Sequence, residues 1–230
     1  MKILGSDFYN TIYFLEDSLK TNKNVSSIRK YVSEGNIFII ITGRTYSEIK
    51  PDLNKIDIPY TYLICGDGAL IFDSTDYCLS STKIPKETVE QVFSFMKEKG
   101  YEPYLEDGYN ITNNPDDCIK ITSLYATNKE DGIKLSKEIS EKFNLYAYAS
   151  RKHINVNNPI NNKKEAIQRL MEIADLNKDD IYVIGDDIND YEMLEYFKGA
   201  IITKHNPILD ELNLPNFETI SDYIESELSI

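Results

Sequence analysis

Positive charge, cysteine and long apolar runs are all scarce in this chain of 230 residues. Lys and Arg number 25 against 38 Asp and Glu, a formal net charge of −13. That balance argues against nucleic acid or an anionic membrane surface as a main partner, because both are bound through an excess of cationic side chains. Any phosphate site must then be made locally, from backbone N–H groups, a few cations and a metal ion. The three cysteines, Cys65, Cys78 and Cys118, are isolated, odd in number and without zinc-type spacing. They read as buried or idle thiols of a reducing compartment. The longest apolar run, Ile37 to Ile41, is a strand and far too short to span a bilayer. The run after Met1-Lys2 is too short for a secretory h-region. The expectation is a cytoplasmic protein. There is no internal repeat and no low-complexity tract, and 41% hydrophobic with 27% charged residues is a globular composition. The length suits one sizeable domain, or a domain carrying an insertion.

The first half of the chain alternates strands and helices. Residues 2–6 read as a strand and 8–20 as irregular. A short helix is predicted from Ser26 to Glu34, stopped by Gly35. Asn36 to Ile41 is a β-branched run, as expected of a strand buried on both faces. A helix from Tyr46 to Lys55 follows, then a strand from Tyr60 to Cys65, a Gly66-Asp67-Gly68 turn and a returning strand from Ala69 to Phe72. After a polar connection at 80–85 the pattern changes. A helix opens at Pro85, with Val89, Val92, Phe93 and Met96 on one face. Strands at 101–105 and 118–126, a helix from Lys129 to Lys142 and strands at 144–149 and 153–156 give two helix-strand-strand units. That is an α+β arrangement with antiparallel pairs. Asn157 to Asn162 reads as a linker, after which the alternation resumes: a helix with Ile167, Leu170, Met171 and Ala174 on one face, a strand from Ile181 to Ile184, a helix from Asp190 to Phe197, a strand at 199–202, a short helix after Pro207 and a strand near 217–220. The predicted fold is α/β, a doubly wound, mostly parallel sheet with a smaller α+β domain inserted. Residues 1–80 and 158–230 form the core and 81–157 the insertion.

Four strand or helix ends then need one explanation, because in a parallel sheet the carboxyl ends of the strands share an edge. Asp7 follows the first strand, Thr42-Gly43 the second, and Asp186 to Asp190 the strand at 181–184. Lys163 opens a helix behind Asn162. Asp7 and Asp186 at neighbouring strand ends repel unless a cation lies between them. Carboxylates, carbonyls and water make the hard oxygen site that Mg²⁺ prefers, with Asn189 and Asp190 in support. An EF-hand is disfavoured, since the 186–190 segment lacks the glycine that such a loop needs. Asn162 as N-cap, with Glu165 three residues on, puts Lys163 and Lys164 in the first turn, where cations oppose the helix dipole. An anion bound there removes the conflict. Thr42 offers a hydroxyl, and Gly43 allows close backbone approach to an anion.

Together these residues resemble the haloacid dehalogenase superfamily, in the Cof-type branch whose cap is inserted after the second motif. The similarity covers essentially the whole chain. The family pattern of an Asp strand end, a Thr or Ser, a Lys and Gly-Asp-x-x-Asn-Asp is met by Asp7, Thr42, Lys163 and Gly185-Asp186 through Asn189-Asp190. Ile64 to Asp73 resembles a segment that the family usually writes with Asn-Gly-Ala, here with Asp67 in place of the Asn. The resemblance implies a Rossmannoid core and an aspartyl-phosphate formed on Asp7. It implies that Thr42 and Lys163 hold the transferring phosphoryl group, and that Gly43, Arg44 and Asn189 assist in binding substrate. The Mg²⁺ ligands implied are Asp7, the backbone carbonyl of Tyr9, Asp186 and Asp190. The substrate class implied is a small phosphorylated metabolite, such as a sugar phosphate. No coiled-coil heptad or long apolar surface run demands a partner chain, so a monomer or weak homodimer is expected.

The departure from the family lies at Tyr9. Where an Asp-x-Asp is expected, the chain reads Asp7-Phe8-Tyr9, and the missing second Asp is the one that protonates the leaving group and activates water. Losing a general acid/base costs about 10²–10⁴-fold in rate. A tyrosine, with an ordinary pKa of about 10, is a poor substitute, although it donates hydrogen bonds. Three readings stay open: an enzyme for phosphates with good leaving groups, an enzyme that takes its proton from a cap residue such as His153, or a phosphometabolite-binding protein with little turnover. Tyr101, Tyr104, Tyr109, Tyr146 and Tyr148 are candidate linings for the cap.

Overall fold

A computed structural model describes residues 1–125 and 128–228. Its core is an eight-stranded sheet of β1 (Ile3–Ser6), β2 (Ile37–Ile41), β3 (Tyr62–Cys65), β4 (Leu70–Asp73), β5 (Cys78–Ser81) and three later strands. A second sheet holds β6 (Tyr104–Glu106), β7 (Ile111–Thr112), β8 (Lys120–Leu124), β9 (Tyr146–Ser150) and β10 (His153–Asn157). The chain then returns to the first sheet with β11 (Ile181–Gly185), β12 (Lys198–Ile202) and β13 (Asn216–Phe217). The order is β13-β12-β11-β1-β2-β3-β4-β5 in the larger sheet and β7-β6-β8-β10-β9 in the smaller. From β13 to β3 the larger sheet is parallel, whereas β4 pairs antiparallel with β3, and β5 antiparallel with β4.

Alternation along the central strands explains the layers. Leu4, Phe38 and Ile40 enter one apolar cluster, and Ile3, Ile39 and Ile41 enter another. Successive strand side chains point to opposite faces, so a run such as Phe38-Ile39-Ile40-Ile41 is buried on both. Helices α1 (Ser18–Ser33) and α2 (Tyr46–Ile56) cover the first face, through Val25, Ile28, Tyr31, Ile49 and Leu53. In the smaller unit, α3 (Lys86–Glu98) and α4 (Lys129–Phe143) back the antiparallel sheet. The buried residues of its cluster all fall between Ile84 and Val156. Helices α5 (Lys163–Ala174) and α6 (Tyr191–Tyr196) cover the second face of the large sheet, and α7 (Ile220–Tyr223) returns to the first. Two side chains bind the connections between the sheets to each other: Asn158 Nδ2 donates to the Lys83 carbonyl at 2.9 Å and Asn161 Nδ2 to that of Thr82 at 3.0 Å.

Several boundaries differ from the sequence reading. The helix expected at 26–34 begins eight residues earlier, at Ser18. Asp17 caps it by accepting from the Lys20 N–H, and its buried face includes the polar Thr21 and Asn24. Asn24 donates to the carbonyls of Thr11 and Ile12, which lets an amide replace an apolar residue in the core. The polar connection expected at 80–85 begins with strand β5, and the inserted unit carries the additional two-residue strand β7. The strand expected at 118–126 runs from Lys120 to Leu124, and its expected end at Ala126 lies outside the described residues, as do Ser229 and Ile230. The last strand is Asn216–Phe217, followed by a helical turn where residues to 220 were expected to be extended.

Candidate active site

Parallel pairing places the predicted strand ends side by side. Ser6 pairs with Ile184 on one side and Ile40 on the other, so Asp7 lies between the ends of β11 and β2. Its N–H donates to the Ile184 carbonyl at 3.0 Å, and the Thr42 N–H donates to the Ile64 carbonyl at 2.8 Å. These ladder bonds hold both residues at the sheet edge, where ligands of open α/β sheets bind.

Helix α5 brings the lysine. The Asn162 side chain accepts from the Glu165 N–H at 2.8 Å, which is the predicted cap. Lys163, only 1% exposed, points inward. Its Nζ lies 2.6 Å from Asp7 Oδ1 and 2.5 Å from Asp190 Oδ1. Burial alone would lower its pKa, but Asp190 and Asp7 outweigh it and hold the ammonium charged, above its ordinary value. The other oxygen of Asp190 accepts from the N–H groups of Asp186 and Asp187, at 2.9 and 3.0 Å. This closure requires Gly185: a Cβ there would lie 2.5 Å from Asp190 Oδ2. Gly185→Ala is expected to destabilise the fold by about 1–3 kcal/mol, read as a lower denaturant midpoint at unchanged slope.

Asp7, Asp186 and Asp190 are buried, and their carboxylates lie within 4.8 Å of one another. Asn10, in a left-handed conformation, donates its amide to Asp186 at 3.1 Å. Burial first, then the like charges of Asp7 and Asp190, push Asp186 well above the usual carboxylate range. Asp190 is pushed up less, because Lys163 opposes the effect of burial.

Above this floor is a cavity lined by Asp7, Tyr9, Thr42, Gly43, Arg44, Asp186 and Asn189, so every predicted binding residue reaches it except Lys163 and Asp190, which lie beneath. Arg44 pairs with Glu48 at 3.1 Å and sits 5.3 Å from the centre of the Tyr9 ring. The Thr42 hydroxyl accepts from the Arg44 N–H at 3.2 Å. The Tyr9 phenol donates to Asp52 Oδ2, in α2, at 2.6 Å. Burial and then Asp52 raise its pKa, so its proton is held more firmly than in a free tyrosine.

The roof is the small sheet. Tyr104 and Tyr148 line the cavity as anticipated, together with His153. Burial, then Arg44 and Lys120, lower the His153 pKa and favour the neutral ring. Tyr101 packs instead into the inserted unit's own cluster, and Tyr109 packs against Tyr46 with tilted rings, 5.5 Å between centres. Tyr146 lies behind Tyr148, with ring centres 5.5 Å apart. Lys120, Glu106 and Thr122 also face the cavity and were not picked out from sequence. A signal for them exists: Leu105 and Ile121 point into the cluster under the sheet, so Glu106, Lys120 and Thr122 share the opposite face. The Thr122 hydroxyl donates to Glu106, whose carboxyl burial raises above its ordinary value.

The profile of the haloacid dehalogenase-like hydrolases matches residues 6–116 and 103–205. An uncharacterized protein of Mycoplasma capricolum subsp. capricolum is 26% identical over 89% of this chain and 91% of its own length. The 5-amino-6-(5-phospho-D-ribitylamino)uracil phosphatase of Bacillus subtilis is 26% identical over 92% of this chain and 90% of its own. Among solved structures, a HAD subclass IIB sugar phosphatase superposes with a TM-score of 0.81 at 16% identity, covering 98% of each chain. A family profile that spans most of the chain, on a fold that matches over nearly its whole length, makes this chain a member of the haloacid dehalogenase-like hydrolases, in their Cof-type branch.

Proposed function

We propose that this protein is a Mg²⁺-dependent phosphatase that cleaves a small phosphorylated metabolite through an aspartyl-phosphate on Asp7, with residues 81–157 acting as a cap over a core of 1–80 and 158–230. The observation that carries this reading is the charge of the buried floor. Three carboxylates, Asp7, Asp186 and Asp190, stand against one ammonium, Lys163, which pairs with Asp7 and Asp190 only, so ionisation of Asp186 leaves the cluster with a net charge of −2. A divalent cation offsets that excess, and carboxylate oxygens are the ligands it prefers. Asp7, Asp186 and the carbonyl of Tyr9 would hold it. Asp190, with both oxygens already engaged, supports from behind. When bound, the cation neutralises charge that builds on the phosphoryl oxygens.

Lys163 holds Asp7 Oδ1, which leaves Oδ2 to attack phosphorus. The new Oδ2–P bond forms as the bond from phosphorus to the leaving oxygen breaks, and the leaving group departs with the electron pair. Lys163, the Thr42 hydroxyl and the Gly43 N–H stabilise the transferring group. Water then attacks phosphorus as the Oδ2–P bond breaks, and its protons leave with the inorganic phosphate, which restores the carboxylate. Because the Tyr9 proton is committed to Asp52, the favoured substrates are those whose leaving group needs no proton, such as acyl phosphates. The same commitment favours the second reading, a phosphometabolite-binding protein that retains the pocket without turning over.

The test is phosphate release from a panel of acyl phosphates, pyrophosphate and alkyl esters, with Mg²⁺ and then with excess chelator. Release should be fastest for acyl phosphates, fall to background under chelation and return with Mg²⁺. Equal rates with and without chelator would overturn the metal assignment. A silent panel with intact binding of orthovanadate would favour the binding protein.

A further inference from the structure

Asp67 joins three segments that are far apart in the chain. It sits in the turn after β3, 1% exposed, with a left-handed φ of 55°. Its Oδ1 accepts from the Tyr148 hydroxyl at 2.7 Å and from Asn189 Nδ2 at 3.1 Å. Its Oδ2 lies 2.9 Å from Lys120 Nζ, and the same ammonium donates to the Gly43 carbonyl at 2.9 Å. Backbone bonds complete the junction: the Asp67 N–H donates to the Thr42 carbonyl at 3.2 Å and the Gly66 N–H to that of Arg44 at 2.7 Å. Contact with the loop is close enough that a Cβ on Gly43 would lie 2.7 Å from Asp67 Oδ1.

Lys120 and Tyr148 belong to the small sheet, Thr42 to Arg44 follow β2, and Asn189 follows β11. The Lys120 ammonium therefore bridges the cap, the Asp67 turn and the loop at the floor of the cavity. An ion pair taken out of water gains little net stability, because desolvation offsets the Coulomb attraction. What a buried pair does supply is a single geometry. Here that geometry exists only while the small sheet lies on the large one. An asparagine at 67, the residue the resemblance leads one to expect, offers no charge to an ammonium. The ionic link is thus a feature of this chain.

We propose that Asp67 and Lys120 are positioning residues, an ion-pair latch through which closure of the cap sets the Thr42–Arg44 loop for the phosphoryl group. The inference rests on that loop binding phosphate, as proposed above. It differs from that reading in what it requires: the loop must respond to the pair even when nothing is hydrolysed.

The experiment compares wild type, Asp67→Asn, Lys120→Met and the double variant, which leaves no unpaired buried charge. Amide hydrogen exchange at residues 42–44 and 66–68 is followed without ligand and with orthovanadate plus Mg²⁺. KM and kcat for acetyl phosphate are measured on the same samples. Each single variant should speed exchange at 42–44 and raise KM, both by about tenfold, within the range of coupling energies carried through such networks, while kcat changes less. The double variant should do no more than either single one, as for two residues of one interaction. If a single variant fails to fold, the double variant carries the exchange readout. Unchanged exchange at 42–44 in the folded variants, or effects that add in the double variant, would overturn the latch. A wild type without turnover whose loop still responds to Lys120→Met would remove the hydrolase reading and leave the latch in place.

Discussion

Asp7→Asn is expected to lower acyl phosphate turnover by about 10⁴-fold or more, the scale on which loss of a covalent nucleophile is felt. The change removes the attacking oxygen and leaves the shape of the side chain almost intact. Stability should not follow activity down. Lys163 keeps Asp190 at 2.5 Å as a counter-charge, and one of three mutually repelling buried carboxylates is gone. The thermal midpoint is therefore expected to stay level or rise, as happens when an active-site charge conflict is relieved. Rapid acid quench followed by peptide mass analysis should find a phosphoryl group on the peptide containing Asp7 in wild type and none in the variant. Turnover by Asp7→Asn equal to wild type would sink the nucleophile assignment, and a label on another peptide would relocate it.

The positions of Asp7, Thr42, Lys163 and Asp186 are legible in the sequence because each is announced by its neighbours. A β-branched run such as Ile39-Ile40-Ile41 can only be a strand buried on both faces, and the polar residue that ends it must lie at the sheet edge. The N-cap of Asn162 likewise fixes where Lys163 starts its helix. Helix α1 was less readable because Thr21 and Asn24 hold buried positions that a hydrophobic pattern reserves for apolar side chains. Asn24 is satisfied by carbonyls of the preceding turn, a relation visible only once the turn is folded. The contacts around Asp67 are harder still. Lys120 and Tyr148 reach it from 53 and 81 positions away, and nothing local in either strand says that its polar face will meet another sheet instead of water. The commitment of Tyr9 to Asp52, 43 residues away, is hidden for the same reason. Local pattern locates strand ends, but the partners of a polar side chain depend on the tertiary arrangement.

That hidden contact sets up a contrast between two variants at one position. Tyr9→Asp is expected to raise the rate on alkyl phosphates by about 10²–10⁴-fold, the usual contribution of a placed general acid/base, or roughly 3–5 kcal/mol of barrier. In single-turnover phosphorylation of Asp7, acetyl phosphate, whose leaving group needs no proton, should gain little. Tyr9→Phe should leave both rates near wild type, since the phenol that it removes donates to Asp52 and not toward Asp7. The new carboxylate has a cation at hand, because Arg44 lies over the ring that it replaces. It also forfeits packing: Tyr9 meets Phe8 and Tyr13 edge-on, at 5.0 and 5.9 Å between ring centres. Such pairs contribute about 0.5–1.5 kcal/mol each, so Tyr9→Asp should unfold at lower temperature while working faster on alkyl esters. A tenfold fall in Tyr9→Phe would show that the phenol is the acid after all and that its bond to Asp52 opens during the reaction. A Tyr9→Asp variant that folds, hydrolyses acetyl phosphate and gains nothing on alkyl esters would place the proton donor elsewhere in the cavity, with His153, which lines it, the first to replace.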